Sequence, residues 1–137
     1  MLRKRTLGRE LALKYLFSID LGRENNLESF DSFSLDQEKN ADIRAFAHQL
    51  CQGVITKRDE LVRLIEESTK NWTWKRMPVV DRCLLLLGAW ELTSCPDIPA
   101  TVTINEVVEM AKKFSTASSG SFVNGVLDTI RQTCNES

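Results

Sequence analysis

Residues 79–92, VVDRCLLLLGAWEL, decide the fold. Pro78 stands just before the stretch, where a missing N–H costs nothing and a fixed φ suits a first helical turn. Asp81 suits the positive end of the helix dipole. At about 100° per residue, apolar side chains point in nearly every direction, from Val79 and Val80 through Cys83, Leu84, Leu85 and Leu87 to Trp90 and Leu92. A helix apolar all round belongs inside something. Fourteen residues are too few to span a bilayer, which takes roughly 20. The stretch therefore predicts the central helix of an all-α domain, with other helices laid around it.

Working back toward the N-terminus, apolar periodicity predicts further helices. Thr6–Leu21 places Leu11, Ala12, Tyr15, Leu16 and Ile19 on one arc, with Gly8 where close approach by another backbone would explain it. Leu13 and Phe17 lie off that arc, to be covered by a second helix or to serve as a partner surface. Residues 22–40 form an acidic connection in which Leu27, Phe30 and Phe33 are spaced for one short helix. Asn40 or Asp42 can cap a helix over Ala41–Thr56, and Asp59–Thr69 predicts another, continuous with it or broken near Lys57. Trp72 and Trp74 are expected to wedge against the start of the central helix.

Beyond it, Pro96 and Pro99 stop the chain from continuing. Thr103–Glu106, TINE, has the pattern of a capping box, in which threonine and glutamate satisfy end N–H groups of the helix that follows. STASSG at 115–120 reads as a flexible loop with an N-cap at Ser118 or Ser119. A last helix over Ser121–Thr133 carries Gly125, again a candidate close crossing. No strand pattern survives, so the sequence predicts six or seven helices in one domain, 1–137.

Charge is balanced overall, with 18 basic and 19 acidic residues, but not locally. Residues 1–14 hold five cations against Glu10, and residues 24–40 hold five acids against Lys39. Such asymmetry steers an anionic partner to one end. No secretory apolar core follows the basic start, because Lys14, Ser18 and Asp20 interrupt Leu11–Leu21. The expected compartment is the cytoplasm. Cys51, Cys83, Cys95 and Cys134 lack the spacing of a zinc site or a disulfide framework and read as small hydrophobes, and His48 has no ligand partner in sequence.

Catalytic patterns are missing: no phosphate-binding glycine loop, no paired histidines on a helix, no nucleophile elbow. Glu91, on an apolar side of the central helix, is expected to have a structural partner. What remains is binding chemistry. Arg3, Lys4, Arg5 and Arg9 form a basic arm (residues 1–6) running into a helix, and the serine-rich stretch opens a helix N-terminus. Arginine forks and N-terminal amides both suit phosphate.

The motifs WTWKR at 72–76, VDRCLL at 80–85, WEL at 90–92, IP at 98–99, VTINEVVEMAK at 102–112 and FVNGVLD at 122–128, in this order, resemble the NusB family. RKRTLGRELALKYLF at 3–17 is similar to that family's arginine-rich first helix. The resemblance implies two small helical bundles and a non-enzymatic role without cofactors or metal. It implies binding to the boxA element of ribosomal RNA transcripts together with the small-subunit ribosomal protein NusE, in an RNA polymerase complex that reads through terminators. Position by position, Arg3, Lys4, Arg5 and Arg9 match the RNA-binding start, and Ser118, Ser119 and Phe122 match the helix start beside the RNA. Phe17 matches an aromatic near the functional surface. Asp81 and Arg82, expected exposed, match the face that meets NusE.

Thr6 and Leu7 interrupt a usually denser arginine run, Leu86 stands where relatives commonly carry arginine, and Ser118 and Ser121 replace residues often acidic and basic. These departures predict an RNA affinity that is lower or shared more heavily with NusE. NusB-like domains also front ribosomal RNA methyltransferases, but a chain ending at Ser137 is expected to be free-standing. The other alternative is a protein-interaction module, a homodimer through Leu13 and Phe17.

Overall fold

Seven α-helices and one 3-10 turn account for most of the described residues of the computed structural model, 2–21 and 26–136. The helices are α1 (Leu2–Leu21), α2 (Phe30–Gln37), α3 (Ala41–Thr56), α4 (Arg58–Glu67), α5 (Val79–Ser94), α6 (Ala100–Phe114) and α7 (Ala117–Glu136), with the 3-10 turn at Trp74–Arg76. No strand occurs among the described residues. The chain divides into two compact units, Met1–Thr56 and Lys57–Ser137. The boundary falls at the break near Lys57, while the acidic connection lies inside the first unit. Residues 22–25 of that connection lie outside the described residues.

In the first unit α1 packs on α3. Leu11, Ala12, Tyr15, Leu16 and Ile19 are buried as the periodicity requires, and Leu13 is buried with them. Leu13 is therefore not available as a dimer surface. Helix α3 starts where an asparagine can cap it: Asn40 Oδ1 accepts from the N–H groups of Asp42 (2.9 Å) and Ile43 (3.2 Å). Its Ile43, Ala47, Leu50 and Val54 face inward. The short helix foreseen in the acidic connection is α2. Phe30 buries its ring edge-on to Tyr15 at 5.1 Å, and the Tyr15 hydroxyl donates to the Asn26 carbonyl at 2.8 Å.

Gly8 marks the α1–α3 crossing. A Cβ there would lie 2.6 Å from the Phe46 ring. Gly125 was expected to mark a second crossing and does not, since nothing lies within 4 Å of a Cβ at that position. The close approach in the second unit belongs to Gly88, where a Cβ would meet Leu127 at 2.7 Å. Gly125→Ala is accordingly expected to stabilise the chain by about 0.5–1 kcal/mol through helix propensity. Gly8→Ala should lose about 1 kcal/mol net, because overpacking of about 1–3 kcal/mol outweighs that gain. Urea unfolding of the two variants would show opposite signs. The same sign for both would contradict the packing described.

The second unit is built around α5, which is buried continuously from Cys83 to Glu91. Leu61 and Ile65 of α4, Ile104, Val107 and Met110 of α6, and Val123, Val126, Leu127 and Ile130 of α7 complete this core. Leu86 is buried too, and has joined the core. Trp74 is half-buried, whereas Trp72 is 48% exposed and is no wedge.

Two predicted helix starts are displaced. Helix α6 begins at Ala100 behind Pro99, so Thr103 lies inside the helix instead of capping it. A proline just ahead of a helix is as much a starter as a breaker, because its φ is already helical. The Thr103 hydroxyl instead donates to Glu91 Oε1 at 2.9 Å, and both residues are buried. Helix α7 begins at Ala117, four residues before the expected start, with Thr116 Oγ1 accepting from the Ser119 N–H at 3.1 Å. Ser118 and Ser119 thus sit in the first turn of a helix, not in a loop. No helix of the described residues is long and apolar enough to cross a membrane.

Candidate nucleic-acid interface

Two groups of the expected site residues are built, one in each unit. In the first unit α1 is already helical at its basic start, and Arg3, Lys4 and Arg5 stand exposed on it. Lys4 Nζ lies 3.1 Å from Asp42 Oδ2 at the beginning of α3, an exposed pair. The guanidinium of Arg5 lies 5.4 Å from the centroid of the Phe46 ring, and that of Arg9 lies 5.5 Å from it. One aromatic ring thus holds two cations through its negatively polarised face. Arg9, expected on the surface with the others, is 1% exposed. Its side chain is committed to the protein, which leaves Arg3, Lys4 and Arg5 as the presented cations. Phe17 is half-buried.

The sequence marks Phe46 only by its apolar spacing with Ile43, Leu50 and Val54 on α3. The clue to its second role is Gly8, three residues after Arg5 and one before Arg9. Removing the Cβ there lets the ring approach α1 closely enough for both guanidinium groups to reach it.

In the second unit the structure gathers Ser118, Ser119, Phe122 and Asp81, together with Trp72 and Pro78, around one open pocket of about 270 Å³. The Phe122 and Trp72 rings meet edge-on at 5.8 Å. The Ser119 hydroxyl donates to Asp81 Oδ2 at 3.2 Å and is itself 2.8 Å from Ser115 Oγ. Asp81 therefore joins the residues expected beside RNA and does not lie on an exposed face. It is 4% exposed. The first turn of α5, which carries it, also buries it against the start of α7. Arg82, half-buried next to it, extends over Trp74 at 5.7 Å, and Arg58 approaches the same ring at 5.6 Å.

Burial pushes the Asp81 carboxyl above its ordinary value of 3.8, and the Ser119 hydroxyl offsets part of that rise. A carboxyl whose pKa is raised by folding holds its proton more tightly in the native state. Its contribution to stability is complete below about 3.8 and is lost as pH rises through the native pKa. Asp81→Asn is therefore expected to gain stability relative to the parent chain as pH rises from 3.5 toward 7. Thermal unfolding across that range checks the sign, and a difference that does not change with pH would contradict it.

The remaining singled-out residues are structural. Cys51, Cys83 and Cys95 are buried, and His48 sets its ring edge-on to Phe30 at 5.2 Å. Among the described residues no group of His, Cys, Asp and Glu could hold a metal ion.

The model of the NusB family matches residues 6–132 of the chain. A transcription antitermination protein NusB of Desulfatibacillum aliphaticivorans is 43% identical over 127 residues, covering 93% of this chain and 89% of the relative. Among solved structures, NusB of T. maritima superposes with a TM-score of 0.84 at 32% identity, covering 93% of this chain and 90% of that one. A chain from the crystal structure of the antitermination factors NusB and NusE in complex with double-stranded RNA superposes with a TM-score of 0.88 at 29% identity. That match covers 97% of this chain and 99% of the other.

Proposed function

The chain belongs to the NusB family, and from that premise we propose that it is a transcription antitermination factor. In this reading it binds boxA-type single-stranded RNA of ribosomal RNA transcripts in the cytoplasm. It does so together with the ribosomal protein NusE, and the assembly joins RNA polymerase and carries it through terminators. The chain acts by binding and not by catalysis.

The observation that carries the reading is the run of three exposed cations, Arg3, Lys4 and Arg5, presented by one helix, with Arg5 steadied by Phe46. A rigid helix bearing adjacent cations neutralises phosphates without first ordering a coil, so less of the binding energy is lost to entropy. Arg9 supports this array from inside through the same ring. Ser118, Ser119 and Phe122 form the second RNA-facing group, at the positive end of the α7 dipole. Phe17 in the first unit and Arg82 in the second are each assigned to contact with NusE, with the buried Asp81 supporting the α5 start that carries Arg82.

The family relatives named for antitermination, and the structural relative solved with NusE and RNA, support the assignment. Competition binding tests it. Labelled boxA-type RNA should be displaced far better by the same unlabelled sequence than by a scrambled RNA of equal length. Equal displacement by the two would reduce the chain to a non-specific cation and overturn the reading.

A further inference from the structure

We propose that the groove between α2 and the first half of α3 docks a segment of a partner protein in which one large apolar side chain is flanked by lysine or arginine. The groove lies wholly in the first unit. The inference goes beyond the RNA-binding reading and does not depend on it.

Its shape comes from small residues on α3. Phe30, Asp31 and Leu35 of α2 form one wall, and Ala41, Ala45 and His48 of α3 form the other, around about 470 Å³ of open space. Their spacing puts Ala41, Ala45 and His48 on one stripe of the helix. Two methyl side chains at the head of that stripe leave the space open. Phe30, buried edge-on to Tyr15 and to His48, closes the bottom. The volume falls within the roughly 300–1,000 Å³ of sites that enclose a ligand.

Two side chains of α2 gain nothing from folding. Leu35 is 59% exposed, more than any other large hydrophobic side chain among the described residues. Asp36 stands in the last turn of α2, where the negative end of the helix dipole disfavours a carboxylate. A lone exposed leucine is ordinary on a protein surface. One at the lip of a groove, next to a carboxylate at the wrong end of its helix, is not. Both residues have a use if a partner covers Leu35 and brings a cation to Asp36.

Charge decides the occupant. Residues 26–48 hold five acids against Lys39 and Arg44. The Arg44 guanidinium is committed to the end of α2, where its Nη1 donates to the carbonyls of Glu38 (2.8 Å) and Lys39 (2.7 Å). Asp42 has Lys4, but the carboxylates of Glu28, Asp31 and Asp36 pair with no cation among the described residues. An RNA phosphate would be repelled from this rim, and a basic segment drawn to it. The groove is also separate from the contact assigned to Phe17. Tyr15 turns toward Phe30 and Phe33 of α2, and Phe17, two residues on, lies about 200° further round α1.

The test is selection of a random-peptide library against the full chain, followed by titration of the selected peptides against the parent, Leu35→Ser and Asp36→Lys. Leu35 and Asp36 are exposed, so both variants keep the fold, and thermal unfolding verifies this. The selected peptides should share one large apolar residue flanked by lysine or arginine. Leu35→Ser should weaken their binding by roughly 10-fold, in line with burial of one leucine. Asp36→Lys should weaken it by about 3-fold at roughly 0.1 M salt, and by more at lower salt. RNA titrations should be the same for all three chains. Peptides that lack cations, or that bind Leu35→Ser as tightly as the parent, would overturn the proposal. Displacement of the peptides by NusE would overturn it by giving the groove to that partner. Self-association of the chain that Leu35→Ser abolishes in sedimentation would overturn it by giving the groove to a second copy. A loss of RNA affinity in Leu35→Ser would overturn it by giving the groove to RNA.

Discussion

Replacing Arg3, Lys4 and Arg5 together by glutamine is expected to weaken binding of single-stranded boxA-type RNA by about 100-fold at roughly 0.1 M salt. Each phosphate neutralised on a single strand contributes about 0.7 to the log–log salt slope, so three contacts contribute about two decades of affinity at that salt. The slope itself should fall by about 2 in magnitude. The three side chains are exposed, and the Lys4–Asp42 pair that is lost is exposed as well. Such pairs contribute about 0–1 kcal/mol to stability, so the variant should fold and the loss should be one of binding. Arg9→Gln differs in kind. It withdraws a buried guanidinium from the Phe46 ring and should lower stability as well as affinity. An unchanged affinity and slope in the triple variant would place the RNA elsewhere on the molecule.

Thr103→Val is expected to destabilise the chain by about 2–3 kcal/mol, since a buried acceptor that can carry charge loses a donor and keeps its desolvation cost. For a domain of this size that corresponds to roughly a 5–12 °C drop in melting temperature. The exchange is nearly isosteric, so the loss reports the hydrogen bond from Thr103 to Glu91 at 2.9 Å and not a cavity. Thr103→Ser keeps the hydroxyl and removes one methyl, and should cost about 1 kcal/mol. If valine were tolerated as well as serine, Glu91 would be held entirely by its other neighbours.

Much of the fold is readable in the sequence because it depends on periodicity. The all-round apolar stretch 79–92 predicts a buried helix, and α5 is buried where the stretch is densest. Gly8 predicts a close crossing, which Phe46 makes. Helix starts are less legible, for a reason visible at both errors. Threonine offers its hydroxyl equally well to a helix-end amide and to a buried carboxylate on a neighbouring helix. Thr103 takes the second option because Pro99 has already started α6 a turn earlier. Thr116 takes the first, and draws the serine run into α7. Gly125 misleads in the opposite direction, since an unfilled helical glycine and a crossing glycine look alike in sequence.

The candidate site is legible in its residue types and not in its burial. Arg3, Lys4 and Arg5 are exposed as a basic arm requires, but Arg9 is drawn inward by a ring 37 residues further along the chain. A sequence shows that an arginine has an apolar stem but not that an aromatic from another helix will cover it. Asp81 offers the same lesson. At the first turn of a helix it reads as a solvated acid, and only the start of α7 folded against it makes it a buried carboxyl with one free oxygen.

The central claim, RNA binding shared with NusE, is tested most directly by titrating a labelled boxA-type RNA with the chain alone and with NusE present at saturation. The claim predicts that NusE raises the apparent affinity of the chain for this RNA by at least about 10-fold, a coupling of roughly 1.4 kcal/mol. Linkage requires the RNA to tighten NusE binding by the same factor. Identical RNA titrations with and without NusE, or no RNA binding in either, would contradict it.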